Sequence, residues 1–134
     1  MRRLHVAAER WPIAGRFTIS RGSKTEAEVV VVTLTENGVT GRGECVPYSR
    51  YGETVEDTVA ELEAAREEIE RGLRRAAIAE CIGPMSARNA LDCALWDLAA
   101  KRSGLTVAQT AGLGPQAPLI TAFTISLGSS EEMA

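Results

Sequence analysis

Histidine is almost absent from this sequence. The one example, His5, stands in an alternating N-terminal stretch with no second histidine to share a metal or relay a proton. That removes Ser/His/Asp and Cys/His nucleophilic arrangements from consideration. Cysteine is scarce, at three residues (Cys45, Cys81 and Cys93). The count is odd and no C-x-x-C occurs, which argues against a disulfide framework or a structural zinc site and for free thiols in a reducing, cytoplasmic setting. Aromatic residues number six: Trp11, Phe17, Tyr48, Tyr51, Trp96 and Phe123.

Basic excess is lacking too. Lys+Arg total 15 against 18 Asp+Glu, a net charge of −3, and no basic face is studded with aromatics, so nucleic acid is not an expected partner. No apolar run approaches the about 18 residues that a membrane span needs. Arg2-Arg3 meet charge again at Glu9 and Arg10, so no signal-peptide core follows them. Neither G-x-x-x-x-G-K-[ST] nor G-x-G-x-x-G occurs, and Gly41-Arg42-Gly43 closes a hairpin rather than opening a helix, a poor phosphate cradle.

What remains is an ordinary globular composition, 45% hydrophobic and 25% charged over 134 residues. That length holds one domain, or one domain and a piece of a second. The first third reads as β structure. Leu4, Val6 and Ala8 alternate with polar or small neighbours, until Pro12 and Gly15 are expected to break the strand. Residues 16–28 read as a polar stretch. The β-branched run Val29-Val30-Val31-Val32-Thr33-Leu34-Thr35 predicts a second strand, Asn37-Gly38 a type I′ turn, and Val39–Glu44 its partner. Gly41 and Gly43 predict close approach of another element.

The middle reads as helical. Thr54 and Asp57 predict an N-cap, and Val55, Val59, Leu62, Ile69 and Leu73 recur at helical spacing. Arg74-Arg75 are expected at the helix's negative end. After a break at Gly83-Pro84, Ser86 is expected to cap a helix to about Arg102, with Leu91, Ala94, Leu95 and Leu98 as its buried stripe. A short helix spans Thr106–Ala111. Leu119–Leu127 reads as one more strand, and Ser129 and Glu132 have the spacing of a capping box. The expected class is α+β: a three-stranded antiparallel meander, a helical segment, then a strand–loop–helix start.

Two loops have adhesive residue types. Residues 16–25 carry Arg16, Arg21 and Lys24; residues 46–53 carry Tyr48, Arg50 and Tyr51. Guanidinium forks suit carboxylates, although ordinary surface loops have such residues too.

Several pieces together resemble the N-terminal capping domain of the enolase superfamily. They are Gly41-x-Gly43-Glu44, Pro47-x-x-x-Tyr51-Gly52-Glu53, and Ala87-Arg88-Asn89-Ala90-Leu91-Asp92-Cys93-Ala94-Leu95-Trp96-Asp97-Leu98. Within the superfamily, Phe17-Thr18-Ile19-Ser20-Arg21-Gly22-Ser23-Lys24, Gly43-Glu44-Cys45-x-Pro47-Tyr48-x-Arg50-Tyr51-Gly52-Glu53 and Thr121-Ala122-Phe123-Thr124 are similar to bacterial dipeptide epimerases of the L-Ala-D/L-Glu type.

The resemblance implies residues 1–114 as a capping, substrate-specificity domain. Residues 115–134 would be a linker and the first βα step of a (β/α) barrel, the chain ending after its first barrel strand. It implies an isomerase of peptidoglycan peptides. Barrel lysines would exchange the α-proton of a dipeptide's C-terminal residue, and barrel carboxylates would hold Mg²⁺. Those groups lie beyond residue 134 in the family, so Mg²⁺ and catalysis are expected of the missing barrel and not of this chain. Arg21 matches the cap-loop arginine that reaches the dipeptide, and Thr124 a substrate-contacting threonine on the first barrel strand. Lys24 would attract an acidic substrate. Tyr48 and Tyr51 lie in the second specificity loop. Glu44 and Asp97 match positions read as structural. The implied partners are an acidic dipeptide, the barrel and, in the complete protein, further copies of itself. Another branch, muconate cycloisomerase or o-succinylbenzoate synthase, and a non-catalytic interaction module remain alternatives.

Overall fold

Three strands in the order β1–β2–β3 form one antiparallel sheet: β1 (Arg2–Ile19), β2 (Gly22–Glu36) and β3 (Val39–Cys45). They come from a computed structural model that describes residues 1–83 and 85–133. Pro84, Ala134 and the side chain of Glu132 lie outside the described residues, and with them the expected Gly83-Pro84 break and the Ser129/Glu132 capping box. Among the described residues six α-helices follow: α1 (Val55–Ala64), α2 (Arg66–Glu70), α3 (Ile78–Cys81), α4 (Ser86–Ser103), α5 (Val107–Thr110) and α6 (Ser130–Met133).

The core fills the space between one sheet face and the helices. Val30, Val32 and Leu34 are fully buried while Val31 and Thr33 are not, the alternation of a sheet covered on one side. They meet Leu62, Ile69, Ile82, Leu91 and Leu98 from the helices. Asn37 and Gly38 have φ of 53° and 81°, as a type I′ turn requires. The element that approaches Gly41 and Gly43 is α4. A Cβ on Gly41 would lie 2.6 Å from Leu98 Cβ.

The structure corrects several expectations. Pro12 and Gly15 do not end β1, which continues to Ile19 as a long hairpin with β2. Between the Pro12↔Glu26 and Phe17↔Lys24 pairs, residues 13–16 stand opposite Thr25 alone, so the register shifts in a bulge. Gly15, at φ 82°, supplies its left-handed residue. Proline is tolerated because β1 is an edge strand. The polar stretch 16–28, with its expected loop over 16–25, is therefore a hairpin with a two-residue turn at Ser20-Arg21.

The helix expected through residue 73 is interrupted at Ala65, where ψ is 1°, and a separate short helical segment, Arg75–Cys81, was not foreseen. The cation at the end of α2 is Arg2, donating to Leu73 O at 2.7 Å, and not Arg74 or Arg75. Arg75 instead stacks 3.4 Å over the Trp96 ring and pairs with Asp92. Ser86 is the first residue of α4 rather than its cap. Met85 holds that position, and the Ser86 side chain turns to Glu53. Leu119–Leu127 forms no strand among the described residues. A strand needs a neighbour to take its backbone bonds. Among the described residues this segment is tied to β1 only near its end, by three hydrogen bonds that link Ser126 and Leu127 to Arg16 and Thr18, and Leu119, Ile120 and Phe123 stay exposed.

Thr54 caps α1, its hydroxyl accepting the Asp57 N–H at 3.0 Å, and Thr106 caps α5 in a capping box with Gln109. The outer edge of β1 is closed at Leu4. Glu70 accepts the Leu4 N–H at 3.0 Å and Arg66 donates to its carbonyl at 2.7 Å, replacing a neighbouring strand. Asp97 accepts the Arg42 N–H at 2.8 Å and pairs with Lys101 at 2.7 Å, a structural role.

Candidate functional site

The tip of the β1–β2 hairpin and the segment after β3 come together at one end of the sheet. Beyond Cys45 the chain makes a 3₁₀ turn at Ser49–Tyr51, closed by the Tyr51 N–H to Tyr48 O bond and by Gly52 at φ 78°. Glu53 then fastens it. Its carboxylate accepts the Ser86 N–H at 2.8 Å, the Ser86 hydroxyl at 2.9 Å and the Tyr48 N–H at 3.4 Å. Burial pushes the Glu53 carboxyl up, and these hydrogen bonds outweigh it and hold the group below the ordinary glutamate value.

Between tip and turn lies an open groove of about 750 Å³. Phe17 and Ile19 line it from β1, Arg21 and Lys24 from the hairpin end, Tyr48 and Arg50 from the turn. No carboxylate among the described residues lines it. Lys24 Nζ stands 6.0 Å from the centre of the Tyr48 ring, and the Tyr48 and Tyr51 rings are 5.8 Å apart. Arg10 is neutralised by Glu26 and Glu28, whereas Arg21 and Arg50 have no ion pair among the described residues. On the other side of Lys24 a second cavity, about 500 Å³, includes Glu9, Glu28, Glu53 and Glu56. Lys24 thus divides a cationic groove from an acidic one, and an anion belongs in the first. Arginine forks above an apolar floor suit a carboxylate at the end of a short carbon chain.

Arg21, Lys24 and Tyr48 therefore meet in one groove. Tyr51 is 67% exposed and stands outside its lining, touching it through Tyr48. Thr124 is exposed and is not brought to the groove. Its segment crosses β1 nearby: Ser126 Oγ accepts the Thr18 N–H at 2.9 Å, and the Leu127 N–H donates to Thr18 O at 2.8 Å. Two contributions were missed from the sequence. Arg50 was visible as a loop arginine without a site, and nothing in the residue pattern links Glu53 to Ser86, 33 positions on.

The thiols have no reactive setting. Burial, then the charge of Glu53, pushes Cys45 up to about 11, and all three cysteines are free. Among the described residues no group of three or more His, Cys, Asp or Glu could hold a metal ion. No helix is long and apolar enough to cross a membrane, among the described residues.

A three-stranded antiparallel sheet backed on one face by helices is the α+β architecture of the N-terminal domain of the enolase superfamily. The chain belongs to the mandelate racemase / muconate lactonizing enzyme family, whose N-terminal-domain model matches residues 1–112. It is 44% identical over 134 residues to the L-Ala-D/L-Glu epimerase of Escherichia coli K12, covering all of this chain and 42% of that protein. Among solved structures it is 48% identical, with a TM-score of 0.89, to an enolase family member from Agrobacterium tumefaciens with homology to dipeptide epimerases, solved with bound sodium and L-Ala-L-Glu. That likeness covers 99% of this chain and 41% of that one. The dipeptide epimerase of Enterococcus faecalis, solved with Mg and the dipeptide L-Leu-L-Tyr, is 29% identical at a TM-score of 0.68, covering 81% of this chain and 33% of that one. The chain thus spans less than half the length of these relatives.

Proposed function

We propose that residues 1–114 form the substrate-selecting cap of a dipeptide epimerase and that residues 115–134 begin its barrel. The substrate is a dipeptide ending in glutamate, from peptidoglycan turnover in the cytoplasm. The observation that carries this reading is the groove itself: three cations, Arg21, Lys24 and Arg50, with no carboxylate in its lining among the described residues. The similarity to an L-Ala-D/L-Glu epimerase, and to a structure solved with L-Ala-L-Glu, supports the same substrate class.

In this reading Arg21 grips the substrate's side-chain carboxylate, Lys24 and Arg50 add field, and Tyr48 and Phe17 flank the carbon chain. Tyr51 braces Tyr48 from outside. Thr124 contacts the dipeptide once its segment is a barrel strand among neighbours. The cap orients substrate and excludes water, and it moves no proton. The barrel would carry the groups that exchange the α-proton and hold Mg²⁺, which would supply positive charge to the substrate when bound.

The test is proton exchange in D₂O. The complete enzyme, this chain together with its barrel, should incorporate deuterium at the glutamate α-carbon of L-Ala-L-Glu when Mg²⁺ is supplied. The 134-residue chain alone should incorporate none. Exchange by the isolated chain, or none by the complete enzyme, contradicts the proposal.

A further inference from the structure

Glu53 ends the turn that carries Tyr48 and Arg50, yet it does not line the groove. It lines the acidic cavity on the far side of Lys24. Both its oxygens are committed: one to the Ser86 N–H, the other to the Ser86 hydroxyl and the Tyr48 N–H. Ser86 opens α4, whose first N–H groups have no partner within the helix and favour a carboxylate. Farther along, α4 is held main chain to main chain against β3 at Gly41 and Gly43, a contact with no side chain to yield.

One carboxylate therefore joins a short surface turn to the first residue of the helix that packs closely on β3. It grips the turn at the backbone of Tyr48, the residue whose ring lies beneath Lys24.

We propose that Glu53 is a positioning residue for acidic substrates. Its bridge from Tyr48 to Ser86 sets where the Tyr48 ring and the Arg50 guanidinium stand in the groove, and so how well a glutamate side chain is held. The role rests on the cap reading above. Positional precision matters because a charged fork binds a carboxylate in one geometry, and a loop free to wander must be ordered by the substrate at each binding event. Because the proton-transfer chemistry is placed outside the cap, a loosened turn weakens binding and leaves turnover of bound substrate nearly intact.

The experiment uses the complete epimerase with Glu53→Gln, Ser86→Ala and Ser86→Thr. Glu53→Gln keeps the shape and loses the charge and one acceptor, and Ser86→Thr keeps the hydroxyl. Amide hydrogen exchange over residues 46–53 reads the bridge without substrate, and kinetics on L-Ala-L-Glu and L-Ala-L-Leu read the groove. In Glu53→Gln, exchange over the turn and KM for L-Ala-L-Glu should each rise about tenfold, with kcat within about twofold and a clearly smaller rise in KM for L-Ala-L-Leu, which meets the Tyr48 ring but offers no charge to Arg50. Ser86→Ala should shift both readouts the same way by less, and Ser86→Thr should restore them.

Unchanged exchange in both Glu53→Gln and Ser86→Ala overturns the bridge. Raised exchange with an unchanged KM overturns the positioning role, as does an equal loss on both dipeptides. Failure of the underlying reading looks different: the wild-type enzyme would then act on neither dipeptide.

Discussion

Gly43 of β3 lies directly against the main chain of α4: a Cβ there would fall 2.6 Å from Ala94 N, and it would also crowd the Ala90 carbonyl oxygen. Ala90 and Ala94 are both fully buried, so the helix presents its smallest side chains where the strand presents none. The obstructing atoms are backbone, which cannot rotate away. Gly43→Ala should therefore destabilise the domain by about 2–3 kcal/mol, the upper part of the range for overpacking a core. Urea denaturation reads it, and a midpoint within error of the parent contradicts it. The same substitution at Gly52, whose Cβ would meet open space, should cost less and act only through its φ of 78°.

Thiol labelling should separate the three cysteines. Cys93 is exposed, Cys81 intermediate and Cys45 buried, with Cys45 pushed up to about 11. An aromatic disulfide reagent at pH 8 should react first at Cys93 and leave Cys45 untouched until the chain unfolds, because only the accessible thiolate reacts. In denaturant all three should label. Early loss of the Cys45 thiol in the folded protein contradicts the packing described here.

Acid should unfold the domain through a few carboxylates. Glu63 is held below its ordinary value by its hydrogen bond from Arg66, against burial. In Glu53 and Asp97 burial pushes upward and hydrogen bonds prevail, from Ser86 and Tyr48 in one case and from Lys101 and the Arg42 N–H in the other. A depressed folded-state value contributes stability that is fully present above the unfolded value, 4.5 for glutamate and 3.8 for aspartate. That stability is lost as pH falls through the folded value. The Tm should hold from pH 7 to about 5 and fall steadily below about 4. Glu53→Gln should fall less steeply. A Tm that rises on acidification contradicts the hydrogen-bond assignments.

The sequence disclosed most where chemistry is local. The β-branched run at Val29–Val32, the Asn37-Gly38 turn, the Thr54 cap and the small-residue contact at Gly41 and Gly43 all follow from neighbouring residues. The length of β1 does not. Pro12 and Gly15 are strand breakers in isolation, and an edge position with a four-against-one bulge accommodates both. The apolar alternation of Leu119–Leu127 records a strand's composition, but pairing depends on neighbours. Of the groove, Arg21, Lys24 and Tyr48 were visible as residues, and their convergence depends on the hairpin register. Glu53 and Ser86 were not visible as a pair, since a hydrogen bond across 33 residues leaves no mark in spacing.

The cationic groove is proposed to select an acidic side chain on the substrate. The most direct measurement is kcat/KM of the complete enzyme and its Arg21→Ala variant on L-Ala-L-Glu and on L-Ala-L-Leu. Loss of a charge-assisted bond worth about 1.5–3 kcal/mol predicts about a 10²-fold drop for the glutamyl dipeptide and little change for the leucyl one. An unchanged value for L-Ala-L-Glu, or an equal drop on both, would remove Arg21 from substrate selection and contradict the claim.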